Sequence, residues 1–392
     1  KIKCIDTMDE LDHALKTHNF LIDGLFGIGL DRPLKGDYLK VVKAINASNC
    51  YKVSIDIPSG LSGESGLVLG NAVKANMTLI VGFYKVGNIL QDAKDYQGIR
   101  VLVDIKLEPL KRHTRYLVHE GYFKDYKINR KHHSHKYDYG SVLTIGGAKG
   151  MMGAPYLSAL AALKTGTGLS LTMHHEQDFS ERFKLSPEIM AYPYQEASDL
   201  TPLLKRASVV VFGPGLGRDN EENSRILKTL LATENPLVID ADGLYYLKQF
   251  LDVEVTKPVI LTPHVGELLR LFDCDKASVQ KAPLKYIKKL TDSNFTVLLK
   301  GPTSILSNNF ETLLSAFGTP VLATPGSGDV LSGMIAALIA RGLEPFDALN
   351  FAVYLHSQAG YTAGVKIGVE GVLASDIIHY LPQILDRFRR VD

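Results

Sequence analysis

The segment with the clearest chemical potential is a glycine-rich turn that runs into an apolar stretch. Gly326, Ser327 and Gly328 precede Asp329, and the residues that follow have the spacing of a helix. Glycines let backbone N–H groups converge, and a helix start adds partial positive charge, so this turn can cradle a transferring phosphoryl group. A carboxylate beside such a cradle can accept the proton of an attacking hydroxyl. Asp329 is therefore a candidate catalytic base; the alternative interpretation is a simple helix N-cap.

Further short polar or glycine-rich segments follow strand-like runs in the same part of the chain. They are residues 146–147 with 151–155, 213–217, 240–243, 262–267 and 300–304. Ligands of open parallel sheets bind beyond the carboxyl ends of the strands, where these segments fall. Each segment alone could be a tight turn, but their number in one region favours a ligand site. A strand that ends in Lys300 followed by glycine and hydroxyl residues suits nucleotide phosphates.

The elements that must position these segments alternate between strand and helix. Strands are predicted at 19–23, 51–56, 77–81, 100–104, 141–145, 208–212, 236–240, 258–261 and 296–299, and helices at 37–47, 154–164, 221–232, 265–271 and 329–340. Such alternation predicts an α/β protein with parallel sheets. Between residues 106 and 136, lysine, arginine and histidine dominate. We therefore expect two α/β domains joined by a basic connection.

Composition limits the classes of function. With 392 residues, 45% of them hydrophobic and 22% charged, the chain can form two or three domains of ~100–200 residues. The net charge of +2 gives no argument for a nucleic acid or an anionic membrane as partner. No apolar run approaches the ~20 residues of a membrane span, and the three cysteines are widely separated. We expect a soluble, cytoplasmic protein.

Seven segments, by their order and spacing, carry a resemblance to a known family. They are HKYDYG, GG with MMGAP, GPGLG, DADGL, TPHVGE, KGPTS and GSGDVLSG, between residues 135 and 333. Residues 131–385 resemble the dehydratase domain of the NAD(P)H-hydrate repair enzymes, within the ribokinase-like superfamily. Pro325 stands where the family usually has glycine. Proline lacks an N–H, but the important donors follow it, so we expect a small effect.

The resemblance implies dehydration of the (6S) hydrate of NADH or NADPH (NADHX or NADPHX), a damaged cofactor, with nucleotide hydrolysis. ADP is implied in preference to ATP, together with Mg²⁺ on the phosphates, and Glu267 and Asp240 are its candidate ligands or else structural carboxylates. Asp329 is implied as the base. Nucleotide contacts are implied for Lys300, Gly301, Pro302, Thr303, Ser304, Gly326, Ser327 and Gly328, and hydrate contacts for Ala154, Gly217, His264 and Asp329. A homo-oligomer, with a tetramer favoured, is implied as well.

Residues 19–105 resemble the later part of the NAD(P)H-hydrate epimerase domain of bifunctional family members. The matching segments are DGLFGIGLDRP at 23–33 and DIPSGL at 56–61. The resemblance implies that Asp56 is a catalytic residue at the nicotinamide ring and that Asp23 and Ser59 bind K⁺. It implies hydrate contacts for Gly27, Ile28, Gly29, Leu30, Asp31, Arg32, Pro33 and Asp56. Turn or cap roles are the alternative for the two aspartates.

The family's epimerase domain also has an Asn-Asn-Gly-Gly-Asp loop, and no such sequence occurs here. We therefore expect a partial Rossmann-like epimerase domain over residues 1–112 that lacks its N-terminal part. A linker and the ribokinase-like dehydratase domain are expected over residues 113–392. A missing strand would leave an exposed sheet edge. Such a chain is expected to dehydrate the hydrate but to epimerise it weakly or not at all.

Several alternatives remain open at the level of sequence. His132, His133 and His135 could suggest zinc, but they lack helical spacing and a nearby cysteine, so a solvated basic linker is the better interpretation. A kinase of a small alcohol, such as a vitamin precursor or a sugar, would share Asp329 and its anion-binding turn. A non-catalytic nucleotide-binding protein is disfavoured by Asp329. A dinucleotide dehydrogenase is disfavoured because no GxGxxG opens the first strand–helix unit.

Overall fold

The computed structural model of the chain describes residues 4–108, 114–179 and 186–389. The chain divides into two compact units. One is Lys1–His113 with Ala277–Pro283, and the other is Thr114–Lys276 with Leu284–Asp392. The predicted boundary between residues 112 and 113 falls outside the described residues.

The first unit is built on a four-stranded parallel sheet in the order β1-β2-β3-β4. Its elements are α1 (Met8–Thr17), β1 (Phe20–Asp23), α2 (Gly36–Ala47), β2 (Tyr51–Ile55), β3 (Met77–Val81), α3 (Ala93–Tyr96) and β4 (Ile99–Val103). Helix α2 buries Val42 and Ile45 against Leu21 of β1. This burial stabilises the helix on the sheet. Asp23 ends β1 and Asp56 follows β2, so both lie at the carboxyl edge of the sheet.

The second unit contains a ten-stranded sheet in the order β5-β14-β13-β12-β11-β10-β9-β6-β7-β8. Its strands are β5 (Arg115–Leu117), β6 (Ser141–Ile145), β7 (Leu169–His175), β8 (Met190–Tyr194), β9 (Val209–Phe212), β10 (Leu237–Ile239), β11 (Val259–Leu261), β12 (Thr296–Leu299), β13 (Ser304–Ser307) and β14 (Thr312–Ser315). The strands from β8 to β12 in this order are all parallel, and β13 is antiparallel to both of its neighbours. The strands predicted from apolar runs all form.

The remaining elements after β5 are helices. They are α4 (Gly153–Thr165), α5 (Thr201–Leu204), α6 (Glu222–Ala232), α7 (Asp242–Leu247), α8 (Val265–Phe272), α9 (Lys276–Lys281), α10 (Pro283–Thr291), α11 (Ser327–Ala340), α12 (Pro345–Ile367) and α13 (Ala374–Asp386). Within the part of the chain that the structure describes, no helix combines the length and apolar character that a membrane span requires.

Helix α11 forms the centre of the second unit's core. Ten consecutive residues of this helix, from Val330 to Ile339, are buried. Helix α11 packs so closely on α4 that a Cβ at Gly333 would lie 2.0 Å from the carbonyl oxygen of Ser158. Close packing along its whole length fixes the position of its first turn, which carries Asp329.

Candidate active site

Five adjacent parallel strands of the second unit, from β12 to β6, bring the predicted segments to one sheet edge. Lys300, directly after β12, lies with its Nζ 2.7 Å from Oδ1 of Asp240, directly after β10. Thr262 follows β11, the strand between them, and its hydroxyl donates to the same oxygen at 2.7 Å. The Asp240 side chain is only 2% exposed, so this network lies beneath the surface of the site.

The anion-binding turn comes to the same point. Gly326 has φ of 86°, a left-handed conformation that glycine adopts without strain, and it caps α11. A Cβ on Gly328 would lie 3.4 Å from Lys300 Nζ and 3.8 Å from Asp240 Oδ2. The Ser327 N–H donates to the Thr324 carbonyl at 3.3 Å. The first N–H groups of a helix have no acceptor within the helix, so those of Gly328 and Asp329 are the donors for a ligand beside the Lys300 ammonium. The predicted glycine turn, Lys300 and Asp240 are therefore brought together.

Glu267 adds a second carboxylate at this edge. It lies in the first turn of α8 and accepts a hydrogen bond from the His264 backbone N–H at 2.7 Å. The Glu267 N–H in turn donates to Nδ1 of His264 at 3.3 Å, which completes a capping box. Lys300 Nζ is 3.8 Å from Glu267 Oε2. The His264 side chain is 52% exposed, so a ligand can reach its ring.

The charges of these groups depend on one another. Burial, together with the nearby Asp240 carboxylate, raises the pKa of Asp329 to about 7, although Lys300 opposes this shift. Burial also raises the pKa of Glu267 to about 7 against the same ammonium. Burial acts against the charged form of Lys300, but Asp240 and Glu267 outweigh it and raise the pKa of this lysine. The edge thus holds a permanent cation beside a carboxyl group that can gain or lose a proton near neutrality.

The glycine turn after β9 packs on the loop after β6. The backbone N–H groups of Gly147 and Ala148 donate to the carbonyl oxygen of Gly215 at 3.0 and 2.6 Å. A Cβ on Gly215 would lie 3.1 Å from the Cβ of Ala154, at the start of α4. Gly217 has φ of 74° and is half-buried. Ala154 and Gly217, both predicted hydrate contacts, are therefore in adjoining segments.

The predicted nucleotide segment is only partly joined to this centre. Lys300 reaches the aspartate network, whereas Ser304 begins β13 and Thr303 is buried. Gly301 and Pro302 are exposed, and a Cβ on Gly318 would lie 2.3 Å from the carbonyl oxygen of Pro302. The segment between β12 and β13 is thus a turn whose first two residues are exposed and whose third is buried.

Three residues that were not predicted as site residues support this edge. Asp242 accepts from the Gly217 N–H at 3.1 Å, and the Tyr246 hydroxyl donates to the Gly217 carbonyl at the same distance. His356, in α12, is buried and hydrogen-bonds the main chain of Ser327. Burial lowers the pKa of His356 to about 4, so its ring is neutral near pH 7. Each of the three comes from an element distant in sequence from the segment that it supports. Only Asp242 lies in a segment, DADGL, that the sequence analysis had identified.

The first unit has its own polar cluster around Asp23. This buried carboxylate accepts from the Ser54 hydroxyl at 2.7 Å, the Ser59 hydroxyl at 2.5 Å and the Ser59 N–H at 2.9 Å. The Phe26 N–H donates to the Ser59 hydroxyl at 2.9 Å. Asp23 and Ser59, the two predicted K⁺ ligands, are therefore in direct contact.

Asp56, the other predicted catalytic residue, has a strained backbone. Its φ is 69°, which is uncommon for a residue other than glycine and costs about 1–3 kcal/mol. Its carboxylate pairs with Lys85 Nζ and accepts from the Val81 N–H at 3.0 Å. Lys85 was not singled out in the sequence. In the loop at residues 27–33, where hydrate contacts were predicted, all positions except the half-buried Leu30 are exposed.

The histidines of the linker that could suggest zinc, His132, His133 and His135, are exposed. His135 forms a capping box in which its N–H donates to Asp138 Oδ2 at 2.8 Å, and His132 and His133 are exposed. Over residues 4–108, 114–179 and 186–389, no group of three histidine, cysteine or acidic side chains is arranged as metal ligands.

Solved structures define the class of the second unit. A ribokinase-like superfamily protein from Enterococcus faecalis matches with a TM-score of 0.64 and 27% identity, over 73% of this chain and 100% of that chain. An ADP/ATP-dependent NAD(P)H-hydrate dehydratase from Bacillus subtilis, co-crystallized with ATP/Mg²⁺, matches with a TM-score of 0.58 and 26% identity, over 67% of this chain and 95% of that chain. The fold is ribokinase-like, as predicted.

Sequence comparisons define the family. A family model described as NAD(P)H-hydrate dehydratase matches residues 142–383, and one described as YjeF-related protein N-terminus matches residues 1–87. The bifunctional NAD(P)H-hydrate repair enzyme of Thermofilum pendens is 32% identical over 98% of this chain and 77% of its own length. That of Coxiella burnetii is 35% identical over 92% of this chain and 75% of its own length. The chain belongs to the bifunctional NAD(P)H-hydrate repair enzyme family.

Family membership confirms the predicted resemblance and the predicted class, a metabolite-repair enzyme with a dehydratase domain. Both domains of the family are present. The expected incompleteness of the first domain stays a prediction, as do the roles of the individual site residues.

Proposed function

We propose that the second unit converts the (6S) hydrate of NADH or NADPH to the intact cofactor in a nucleotide-dependent dehydration. The observation that carries this proposal is the position of Asp329, in the first turn of α11, beside Lys300 and with a pKa of about 7. A carboxyl group with this pKa is about half ionised at pH 7 and can accept a proton efficiently in the transition state.

The reaction that fits these groups has two steps. Asp329 accepts the proton of the 6-hydroxyl as its oxygen attacks the terminal phosphorus of the nucleotide, and the bond to the shortened nucleotide breaks. The N–H groups at the start of α11 stabilise the charge on the transferring phosphoryl group. The phosphorylated oxygen then leaves carbon 6 as phosphate, because the ring nitrogen lone pair forms the new double bond. Loss of one proton from the ring restores the dihydropyridine.

Lys300 and the two carboxylates beside it provide for the phosphates of the nucleotide. Lys300 supplies a permanent positive charge, since Asp240 and Glu267 raise its pKa. Asp240 also holds the ammonium in place at 2.7 Å. Asp240 and Glu267 are the residues proposed to hold Mg²⁺. Two carboxylates with substrate phosphates suit this ion, which rarely has an all-protein ligand cage. When bound, Mg²⁺ would neutralise charge on the phosphates.

The hydrate is proposed to contact Ala154, Gly217 and His264. The first two adjoin through the packed glycine turn, and the third presents a half-exposed, neutral ring, because burial and Lys300 lower its pKa. A neutral imidazole can both donate and accept a hydrogen bond. The nucleotide is proposed to be ADP in preference to ATP, with contacts from residues 300–304 and from the Gly326–Gly328 turn.

The first unit is proposed to be the epimerase domain, with the boundary to the dehydratase domain near residue 112. Asp56 is its proposed catalytic residue, and the loop at residues 27–33 is its proposed phosphate-binding loop. The strained backbone of Asp56 and its pairing with Lys85 support a functional role. Direct contact between Asp23 and Ser59 supports their role at K⁺. A cytoplasmic location and a homo-tetramer are proposed from the family resemblance alone.

The products separate this proposal from a small-alcohol kinase. The protein, NADH hydrate, Mg²⁺ and ADP are incubated, and phosphorus species are followed by ³¹P NMR. The proposal expects AMP and free phosphate in equal amounts, with no lasting phosphate ester of the hydrate. A stable phosphate ester, or nucleotide consumption only when a small alcohol is added, would support the kinase instead.

A further inference from the structure

A second polar cavity lies in the second unit, away from the proposed catalytic edge. Its volume is about 490 Å³. Tyr139, which lines it, precedes β6, and Arg341 follows the last residue of α11. Arg341 lies 12 positions after Asp329 along this helix, and each residue rises about 1.5 Å, so the cavity lies about 18 Å from Asp329, at the opposite edge of the sheet.

Positive charge dominates the lining of this cavity. The side chains that matter are Lys127, Lys131, His133, Asp138, Tyr139 and Arg341. Asp138 supplies the carboxylate among these side chains, and it contacts His135. It accepts from the His135 N–H at 2.8 Å and lies 3.3 Å from the His135 ring. The lining therefore holds three permanent cations, Lys127, Lys131 and Arg341, against the one carboxylate of Asp138, which leaves a net charge of about +2.

Two guanidinium groups reinforce this charge. Arg130 lies over the Tyr139 ring, 4.5 Å from its centroid, and Arg341 lies 5.9 Å from the same centroid. Arg130 donates to the Gly166 carbonyl at 3.0 Å and Arg341 to the Thr165 carbonyl at 2.9 Å, at the end of α4. These bonds fix both side chains close to one another.

Neither guanidinium group forms an ion pair with a carboxylate within the part of the chain that is described. Neither has a carboxylate oxygen within 4.0 Å there. Burial, and then repulsion from Arg130, lower the pKa of Arg341. Two fixed like charges, one of them on the half-buried Arg341, raise the free energy of the empty site, and a bound anion lowers it. Each guanidinium also keeps N–H donors beyond those that bond α4.

We propose that this cavity binds a phosphate-bearing anion, held by Arg341, Lys131 and Lys127. Phosphate matches the site because a planar guanidinium can donate two parallel hydrogen bonds to its oxygens, while lysines supply point charge. The ligand is either inorganic phosphate or the phosphate of a nucleotide, since both present the same group. The proposal is independent of the chemistry proposed at the other edge of the sheet.

Calorimetric titration with inorganic phosphate tests the site. The proteins are the full wild-type chain, Lys131→Gln, Arg341→Gln and, as a matched control, Lys124→Gln, an exposed lysine nearby that does not line the cavity. Loss of one charge-assisted hydrogen bond is expected to weaken phosphate binding about tenfold or more in the first two variants. Lys124→Gln is expected to bind as the wild type does, and dehydration of the hydrate by Lys131→Gln is expected to be unchanged.

Two further arms complete the experiment. If Arg341→Gln does not fold, the exposed Lys131 decides the outcome alone. Repeating the titration with excess ADP identifies the source, since nucleotide displaces phosphate from the Lys131-dependent site only if it binds there. Equal binding by wild type, Lys131→Gln and Arg341→Gln would overturn the proposal. So would an equal loss in Lys124→Gln, because that result would reflect diffuse charge.

Discussion

Lys300 and Asp240 form an ion pair that crosses an entire strand of the sheet. Their side chains come from β12 and β10 and meet at 2.7 Å, and Thr262 from the strand between them donates to the same carboxylate. Gly328 lies against this pair. The pair therefore fixes a cation directly beside the start of α11, where phosphoryl transfer is proposed.

Replacing one partner of this pair is expected to affect both stability and nucleotide binding. Lys300→Met leaves the buried Asp240 without its counter-charge and is expected to destabilise the protein by roughly 3 kcal/mol. The double variant Lys300→Met with Asp240→Asn is expected to recover most of the lost stability but not ADP affinity. Thermal unfolding and ADP titration measure the two effects. Equal stability of the single and double variants would show that the pair is not coupled.

Asp329→Asn is expected to lower the dehydration rate by about 10²–10⁴-fold, because asparagine cannot accept the proton of the hydroxyl. ADP binding is expected to stay within a few fold, since the backbone donors of the turn remain. Steady-state kinetics and ADP titration measure the two quantities, with the exposed Asp252→Asn as control. Turnover within a few fold of wild type would remove Asp329 from the role of base.

The pH dependence of kcat/KM is expected to follow the ionisation of Asp329. The base must be unprotonated, and its pKa is about 7, so activity is expected to rise with pH through about 7. Glu267 has a pKa of about 7 as well, so the rising limb belongs to the coupled pair. A pH–rate profile of the free enzyme checks this, and a flat profile across the neutral range would contradict it.

The same raised pKa has a consequence for stability. The folded state holds a proton on Asp329 between its ordinary pKa of 3.8 and about 7, so this group loses stabilisation as the pH rises through that interval. Above about pH 7 the buried carboxylate is charged and unfavourable. Asp329→Asn is therefore expected to raise the unfolding temperature at pH 8 and to change it less at pH 5. An unfolding temperature of Asp329→Asn below that of the wild type at pH 8 would contradict this prediction.

His356 is expected to act as a positioning residue for the anion-binding turn. Its ring, which α12 carries, is hydrogen-bonded to the main chain of Ser327. The ring is neutral above about pH 5, because burial lowers the pKa of His356 to about 4. His356→Leu removes this bond and is expected to lower kcat about tenfold, the effect of one lost hydrogen bond, with a smaller change in KM for ADP. His356→Asn, whose amide can replace the ring N–H, is expected to recover part of kcat. Equal kcat in both variants and wild type would exclude this role.

The order of segments along the chain predicted most of the fold and much of the site. The parallel strands are continuous apolar runs, so nine of them could be located from the sequence, and their carboxyl ends marked the residues that meet at one edge of each sheet. The start of α11 was also predictable, because glycines and an aspartate precede an apolar helix.

Long-range support could not be predicted in the same way. His356, Tyr246 and Lys85 each contact a residue 29 positions away in the sequence. Nothing in their local sequence distinguishes them from core or surface side chains. The hairpin of β13 and β14 is short, and the 23-residue α12 is apolar on most of its faces, so neither has a clear periodic pattern. Three-dimensional packing decides these features.

The response to K⁺ tests the proposed cation site of the first unit. Potassium chloride is expected to raise the unfolding temperature of the wild type above its value in sodium chloride of equal ionic strength, because a bound ion stabilises the folded state. Ser59→Ala is expected to lose this difference, since the hydroxyl that contacts Asp23 is removed. The same unfolding temperature in both salts would contradict the assignment of Asp23 and Ser59.

The most direct test of the central claim is recovery of NADH from its hydrate, followed by the absorbance of the reduced nicotinamide ring. Wild type and Asp329→Asn are each mixed with the (6S) hydrate and Mg²⁺, with ADP, with ATP or with no nucleotide. The account predicts recovery by the wild type only when nucleotide is present, faster with ADP than with ATP, and almost none by Asp329→Asn. Absence of recovery by folded wild-type protein with either nucleotide would contradict it.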